Sequence, residues 1–359
     1  MSHLFEPFPL RSITMRNRIG VSPMCQYSCH EGFANDWHMV HLGSRAVGGA
    51  GLVVVEATAV TPEGRITDRD LGLWSDAHIE PLARCVRFIR EQGSVPGIQI
   101  AHAGRKASRK APWFGDQELT VAEGRWTTIG PSPLAFSDSY PAPEAMSVEQ
   151  IQLMVQAFAK TAERALAAGF QSLEVHAAHG YLLNSFLSPL SNLRQDAYGG
   201  SFDNRCRMLL ETVRAVRGVW PESLPLSVRL SCSDWVEDGW TLEDSIALAL
   251  LLKDEAVDII DCSSGGVSAE ARIPVGANYQ VPFADAIRRR TGMATGAVGM
   301  ITQSMQADAI IRSGQADLVF IAREFLRDPY WPLRAQKELH AKTEGLVPVQ
   351  YARAFPRQH

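Results

Sequence analysis

The chain is predicted to fold as a (β/α)8 TIM barrel, an α/β architecture, with an N-terminal hairpin cap and a long insertion after the third strand. Three observations predict it. Short β-rich apolar runs alternate with helical patterns along almost all of the 359 residues, the pattern of a parallel sheet with helical crossovers. Eight such units can be traced, a number that favours closure into a barrel over an open sheet. Polar residues recur near the carboxyl ends of the apolar runs, where barrel enzymes carry their sites.

The strands are expected over 18–24, 51–57, 95–101, 171–176, 225–231, 257–262, 293–298 and 317–322. Helices are expected near 38–48, 76–92, 147–168, 203–218, 241–254, 282–291, 302–313 and 329–340. Residues 1–17 are expected to form the hairpin that plugs the barrel floor. The third helix shows its causes most openly. Ser147 and Gln150 have the spacing of a capping box, Ile151, Met154, Val155, Phe158, Ala162 and Ala165 recur on one face, and Gly169 marks the stop. Thr302 is the expected cap of the helix after the seventh strand. Residues 103–146, rich in Gly, Pro and Ser, are too long for an ordinary strand–helix loop. They form either a lid or a disordered excursion, and the basic start His102-Ala-Gly-Arg-Lys106 favours the lid. The whole is read as one domain over 1–359, with 341–359 as a tail.

Hydrophobic content of 46% and charged content of 21% are ordinary for a soluble globular protein. A net charge of -4 gives no electrostatic case for nucleic acid or an anionic membrane. No basic-then-apolar leader and no apolar run long enough for a membrane helix is visible. Six cysteines without a Cys-x-x-Cys pair argue against a disulfide scaffold, zinc ribbon or iron–sulfur cluster, and a cytoplasmic location is expected.

His176-Ala-Ala-His179-Gly-Tyr181 follows the apolar run of the fourth strand, so two imidazoles and a phenol open onto a loop. Imidazoles donate hydrogen bonds to a carbonyl oxygen, and a tyrosine with pKa ~10 keeps a proton to give. The trio suits polarising an unsaturated carbonyl while protonating the neighbouring carbon. Glu56, Gln99, Glu174, Arg229 and Asp261 each sit inside an apolar strand, and alternation sends Glu174 and His176 to one face. Glu56 and Glu174 are read first as structural, Glu174 as a partner for Arg229, while Gln99 and Arg229 are read as ligand contacts. Gly296-Ala-Val-Gly299 and Phe320-Ile-Ala-Arg323 end the last two strands, where this fold often binds phosphate. No Gly-x-Gly-x-x-Gly follows a strand and no Walker loop exists. His176/His179 and His38/His41 have the spacing of metal pairs, yet no motif places a third ligand beside either. No metal is expected, and His38 and His41 are read as structural or helix-end residues.

Over nearly its whole length the chain resembles the Old Yellow Enzyme family of flavin-dependent ene-reductases, in the bacterial branch of xenobiotic reductases and thermophilic-type enzymes. The resemblance rests on Asn17-Arg-Ile-Gly-Val-Ser-Pro-Met-Cys-Gln-Tyr27, Glu56-Ala-Thr-Ala-Val60, Gln99-Ile-Ala-His-Ala-Gly-Arg-Lys106 and His176-Ala-Ala-His-Gly-Tyr181. It rests also on Asp196-Ala-Tyr-Gly-Gly-Ser201, Ala297-Val-Gly-Met-Ile301 and Ala322-Arg323. It implies noncovalent FMN, with Ser22, Pro23, Met24, Cys25 and Ala57 beside the ring, Gln99 on its pyrimidine edge and Arg229 near N1. Gly299, Ala322 and Arg323 would hold the phosphate. By the same likeness His176 and His179 bind the substrate carbonyl, Tyr181 protonates the α-carbon, and Tyr27 and Cys25 contact substrate. Lys106 would tend the cofactor or the lid.

The tail Val349-Gln-Tyr-Ala-Arg353 is similar to a segment that some members insert into a neighbour's site, which implies a homodimer or dimer of dimers with Arg353 as an intersubunit substrate contact. The implied activity is NAD(P)H oxidation, NADPH preferred, coupled to reduction of enones and enals. Two other classes stay open: an amine or dienoyl-CoA flavin oxidoreductase, and a non-catalytic ligand-binding barrel. Larger relatives of the first add iron–sulfur and nucleotide segments that this length and cysteine pattern lack.

Overall fold

The computed structural model describes residues 2–354. Eight parallel strands close into a barrel in chain order: β1 Ile19–Val21, β2 Leu52–Ala59, β3 Val95–Ala101, β4 Ser172–Ala177, β5 Leu226–Ser231, β6 Ile259–Ser263, β7 Ala294–Ala297 and β8 Leu318–Ile321. The last strand pairs back onto the first, with Phe320 opposite Gly20. A Cβ at Gly20 or Gly296 would stand 2.7 or 2.3 Å from the Phe320 ring, so these glycines make room for the aromatic plug of the barrel.

Side-chain alternation divides the core in two. Leu52, Val54, Val95, Ile259, Leu318 and Phe320 form an inner cluster. An antiparallel hairpin of Phe8–Leu10 and Ile13–Met15 presses Phe8, Ile13 and Met15 onto that cluster, as expected of the N-terminal cap. The intervening residues Val53, Val55, Ile98, Leu173, Val175 and Val228 belong to the outer core instead. Burying such a side chain contributes roughly 1.5–3 kcal/mol, so a one-residue slip in register is strongly disfavoured.

The helices stand near their expected places: α1 Asp36–Val47, α2 Ile79–Glu91, α3 Val148–Ala167, α4 Phe202–Val219, α5 Leu242–Asp254, α6 Val281–Thr291, α7 Ser304–Arg312 and α8 Trp331–Glu338. In α3 the Ser147 and Gln150 side chains each accept a hydrogen bond from the other residue's backbone N–H, and the anticipated apolar stripe is buried.

Three details differ from expectation, and a fourth narrows an alternative. The first strand stops at Val21 rather than 24, because Pro23 offers no N–H to a ladder, and residues 22–28 become a mouth loop. Gln303, not Thr302, is the N-cap of α7; the Gln306 side chain accepts from both Thr302 N and Gln303 N. Two short helices, Leu182–Leu187 and Arg323–Arg327, were too brief for periodicity to reveal. Residues 103–146 are not a disordered excursion. They carry short 3-10 turns and a pair of two-residue strands, Ile129–Gly130 and Glu144–Ala145. Arg105 pins them by donating to Leu134 O, Ala135 O and Val267 O.

The β2–β3 ladder shifts register between Val55 and Thr58. Such bulges re-aim side chains, and here the affected residues are Glu56 and Ala57.

Candidate active site

The carboxyl ends of the strands open onto a cavity of about 280 Å³. Ser22, Pro23, Cys25, Tyr27 and Ala57 line it from the first two strand ends; Gln99, His176, His179, Tyr181 and Arg229 line it from the next three. A second cavity of about 190 Å³ shares Arg229, Val298 and Ala322 with the first and runs on to Gly299, Met300 and Arg323. Met24 packs against the core and lines neither cavity. Arg353 lies on an exposed turn, Val349–Ala354, and also lines neither; residues 355–359 of the tail lie outside the described residues. A larger cleft of about 680 Å³ lies elsewhere, between Ser2, Asp308 and His340, and holds none of these residues.

The histidine loop is built from unusual backbone. His179 takes a left-handed φ of 62°, and Gly180 follows with φ 75°. A Cβ at Gly180 would sit 2.1 Å from Gly266 O, so only glycine fits this crossing. The loop is held from three sides. His179 N donates to Ser231 Oγ (2.9 Å), Gly180 N donates to Asn184 Oδ1 (2.7 Å), and Lys106 Nζ donates to His179 O (2.9 Å) and Gly266 O (2.6 Å).

A backbone hydrogen bond assigns the His176 proton. Ala178 N donates to His176 Nδ1 (3.2 Å), so His176 carries its proton on Nε2. His179 Nε2 lies 2.7 Å from Ser263 Oγ. The Ser263 hydroxyl also reaches Gln280 Oε1 (3.4 Å); when it gives its hydrogen to His179 instead, the His179 proton is on Nδ1. His176 Nε2 and His179 Nδ1 are 3.4 Å apart, so two N–H donors then face one point in the cavity. Two neighbouring donors without an acceptor are unfavourable, and a substrate oxygen satisfies both. Burial, then the Arg229 charge, holds both imidazoles well below their usual pKa, so they are neutral donors. The Tyr181 ring meets His176 edge-on with centroids 5.0 Å apart. Burial, then Cys25 and Asp70, pushes its phenol well above 10, and it keeps its proton.

Beneath the cavity the strand registers place Gln99 beside Glu174, Glu174 beside Ser227, and Arg229 between His176 and Asp261. Arg229 pairs with Asp261 (3.2 Å), not with Glu174 as the sequence suggested. Glu174 instead accepts from Gln99 Nε2 (2.8 Å). The carboxylate in register with Arg229 is Asp261, and it sits deeper than any strand pattern could show.

The re-aimed Glu56 holds the mouth loop. Its Oε2 accepts Gln26 N (2.8 Å), and His38 Nε2 donates to its Oε1 (3.1 Å). Asn35 N donates to His38 Nδ1 (3.1 Å), which leaves the other nitrogen free to donate. Gln26 is flanked by Cys25 and Tyr27, and Tyr27 is itself left-handed (φ 48°). Burial, then Asp70 and Glu56, pushes the Cys25 thiol up, so it stays protonated. Among the described residues no group of three His, Cys, Asp or Glu side chains is placed to hold a metal ion.

At the far end Gly299 takes φ 123°, and a Cβ there would stand 3.0 Å from Tyr279 and 3.1 Å from Gln280. Arg323 contacts Met300 Sδ (3.1 Å) and has no carboxylate partner among the described residues. A model of proteins described as the NADH:flavin oxidoreductase / NADH oxidase family matches residues 3–342. The chain belongs to the NADH:flavin oxidoreductase / NADH oxidase family.

Relatives span the same length. An NADPH dehydrogenase of Bacillus licheniformis is 51% identical over 354 residues, covering 98% of each chain. One of Bacillus subtilis is 48% identical, covering 98% of this chain and 99% of its own. Among solved structures, morphinone reductase matches with TM-score 0.79 and 25% identity over 100% of this chain and 99% of its own. A 2-naphthoyl-CoA reductase complex matches with TM-score 0.85 and 25% identity over 94% of this chain and 52% of its own.

The two cavities fit the flavin nucleotide of an NADH:flavin oxidoreductase. An uncompensated guanidinium at one end suits a phosphate, and a glycine there lets backbone approach it. The paired donors and Arg229 stand at the other end.

Two residues of this site escaped the sequence reading, Ser263 and Ser231, and Asp261 was singled out there without its pairing to Arg229. A serine at a strand end carries no pattern, and only the shared register of β5 and β6 with the histidine loop brings them in. Lys106 was singled out by its motif, but not its two carbonyl partners. Burial, then Arg105, lowers its ammonium to about 7. Replacing Ser263 with Ala frees the His179 tautomer and is expected to weaken phenol binding about fivefold, the worth of one modest hydrogen bond. Titration of the flavin absorption band with a phenol measures it; unchanged affinity would remove Ser263 from tautomer control.

Proposed function

We propose that this chain is an FMN-dependent NADPH dehydrogenase that reduces the activated C=C bond of α,β-unsaturated carbonyl compounds, enones and enals among them. The single observation that carries the reading is the convergence of two neutral imidazoles beside a protonated tyrosine, at the mouth of a flavin-family barrel. Bound FMN supplies two-electron hydride chemistry, accepting from the nicotinamide and delivering to the β-carbon of the acceptor.

The residues of the chain do the rest. Ser22, Pro23, Cys25 and Ala57 border the ring, Gln99 and Arg229 meet its pyrimidine side, and Gly299, Ala322 and Arg323 hold the phosphate. Met24 contributes from behind the loop. His176 and His179 donate to the substrate oxygen and draw electron density from the double bond. Tyr181 Oη gives a proton to the α-carbon. Tyr27 and Cys25 bound the substrate from the opposite wall. Residues 103–146 cover the mouth as a lid. The 341–359 tail carries Arg353 to a neighbouring subunit of a homodimer or dimer of dimers. Six free cysteines suit a reducing cytoplasm.

The test is spectral. Purified protein is expected to show a flavin absorption that bleaches with NADPH without oxygen and returns when cyclohexenone is added. A colourless protein that takes up no FMN, or a reduced one that the enone leaves bleached, would overturn the assignment. The second outcome favours an amine-type oxidoreductase, and the first a ligand-binding barrel.

A further inference from the structure

We infer that Glu174, from beneath the cavity, is the positioning residue that sets the sense of the Gln99 amide, so that Gln99 presents its carbonyl oxygen to the bound ring as a hydrogen-bond acceptor. Gln99 and Glu174 are register partners on β3 and β4, and both are buried. Gln99 lines the cavity whereas Glu174 does not. The contact between them is Gln99 Nε2 to Glu174 Oε1 at 2.8 Å.

An amide has a donor end and an acceptor end, and a carboxylate only accepts. An ionised Glu174 therefore takes the amino end and leaves Gln99 Oε1 facing the cavity, with no other partner among the described residues. The protonated acid gives the same answer. Burial, then the nearby Asp261, lifts Glu174 to about 8. Its proton has a place on Oε2, which lies 3.3 Å from Ser227 Oγ. That hydroxyl is also 3.3 Å from Leu173 O, and its one hydrogen given there leaves an oxygen lone pair for the acid. Oε1 thus stays an acceptor in either state. Arg229 does not compete for it, being paired with Asp261 at 3.2 Å.

A ring edge placed over Gln99 must then bring an N–H. The inference rests on the flavin reading, because the pyrimidine ring of FMN has one such group, N3–H, between two carbonyls. Had the amide been turned, the carbonyls rather than N3 would be matched.

The experiment compares the affinity of the apoprotein for FMN and for FMN methylated at N3, in wild type, Glu174→Gln and Gln99→Leu. The added methyl's bulk is common to all three, so the ratio of the two dissociation constants reports the N3 bond. Gln99→Leu sets the ratio without an amide. Glu174→Gln is isosteric and replaces a group that burial already drives toward neutrality. An amide at 174 pairs with Gln99 in either sense, so the freed amide can turn its amino group to the ring carbonyls when N3 has no proton. The ratio is expected to fall about fivefold to tenfold in Glu174→Gln, toward that of Gln99→Leu. A wild-type ratio in Glu174→Gln overturns the role of Glu174, and a wild-type ratio in Gln99→Leu overturns the N3 bond itself. If wild-type apoprotein takes up no FMN, the flavin reading has failed, which is seen before any variant is compared.

Discussion

Tyr181→Phe is expected to slow reduction of an enone by about a hundredfold or more while leaving flavin reduction by NADPH within about twofold. The phenol is held above its ordinary pKa by burial, so it arrives at the reaction protonated. Its ring lies edge-on against His176, one of the two imidazoles proposed to bind the substrate oxygen. Losing a general acid costs about 2.7 kcal/mol for each hundredfold, and phenylalanine keeps the ring contact that shapes the loop. Flavin reduction needs no proton from this face, so stopped-flow measurement of the two half-reactions separates the roles. Equal slowing of both would mean that Tyr181 shapes the site without giving a proton.

The double replacement of His176 and His179 by Ala is expected to weaken phenol binding to the oxidised enzyme by about a hundredfold or more. Each neutral imidazole contributes one hydrogen bond to an oxygen that bears negative charge, and such bonds are worth about 1.5–3 kcal/mol. The two donors stand 3.4 Å apart and face the same point, so one ligand oxygen loses both. Because the imidazoles are already neutral, this loss should be the same at pH 6 and pH 8. A phenol that binds the double variant as tightly as the wild type sits elsewhere in the cavity.

Much of this arrangement is legible in the chain. His176, His179 and Tyr181 announce themselves by clustering at a strand end, and Gln99 and Arg229 by being polar inside apolar runs. Boundaries were less legible where a single residue overrides a pattern. Pro23 cuts the first strand short and turns its last residues into the mouth loop. Pairings were less legible still. Arg229 has carboxylates on both neighbouring strands, and nothing local says which one it takes.

The order of apolar and polar residues along the chain determined the barrel, its hairpin plug and the face on which chemistry gathers, because burial and strand periodicity act within a few residues. It also determined which side chains could polarise a carbonyl or give up a proton. The closure of the barrel decided what those side chains do. Only when β6 lies against β5 does Ser263 reach His179, and only when β3 lies against β4 does Glu174 meet Gln99. Only the bulge in β2 turns Glu56 toward Gln26 N. These are hydrogen bonds between residues far apart in sequence, and their direction depends on ångström-scale register that no run of neighbouring residues encodes.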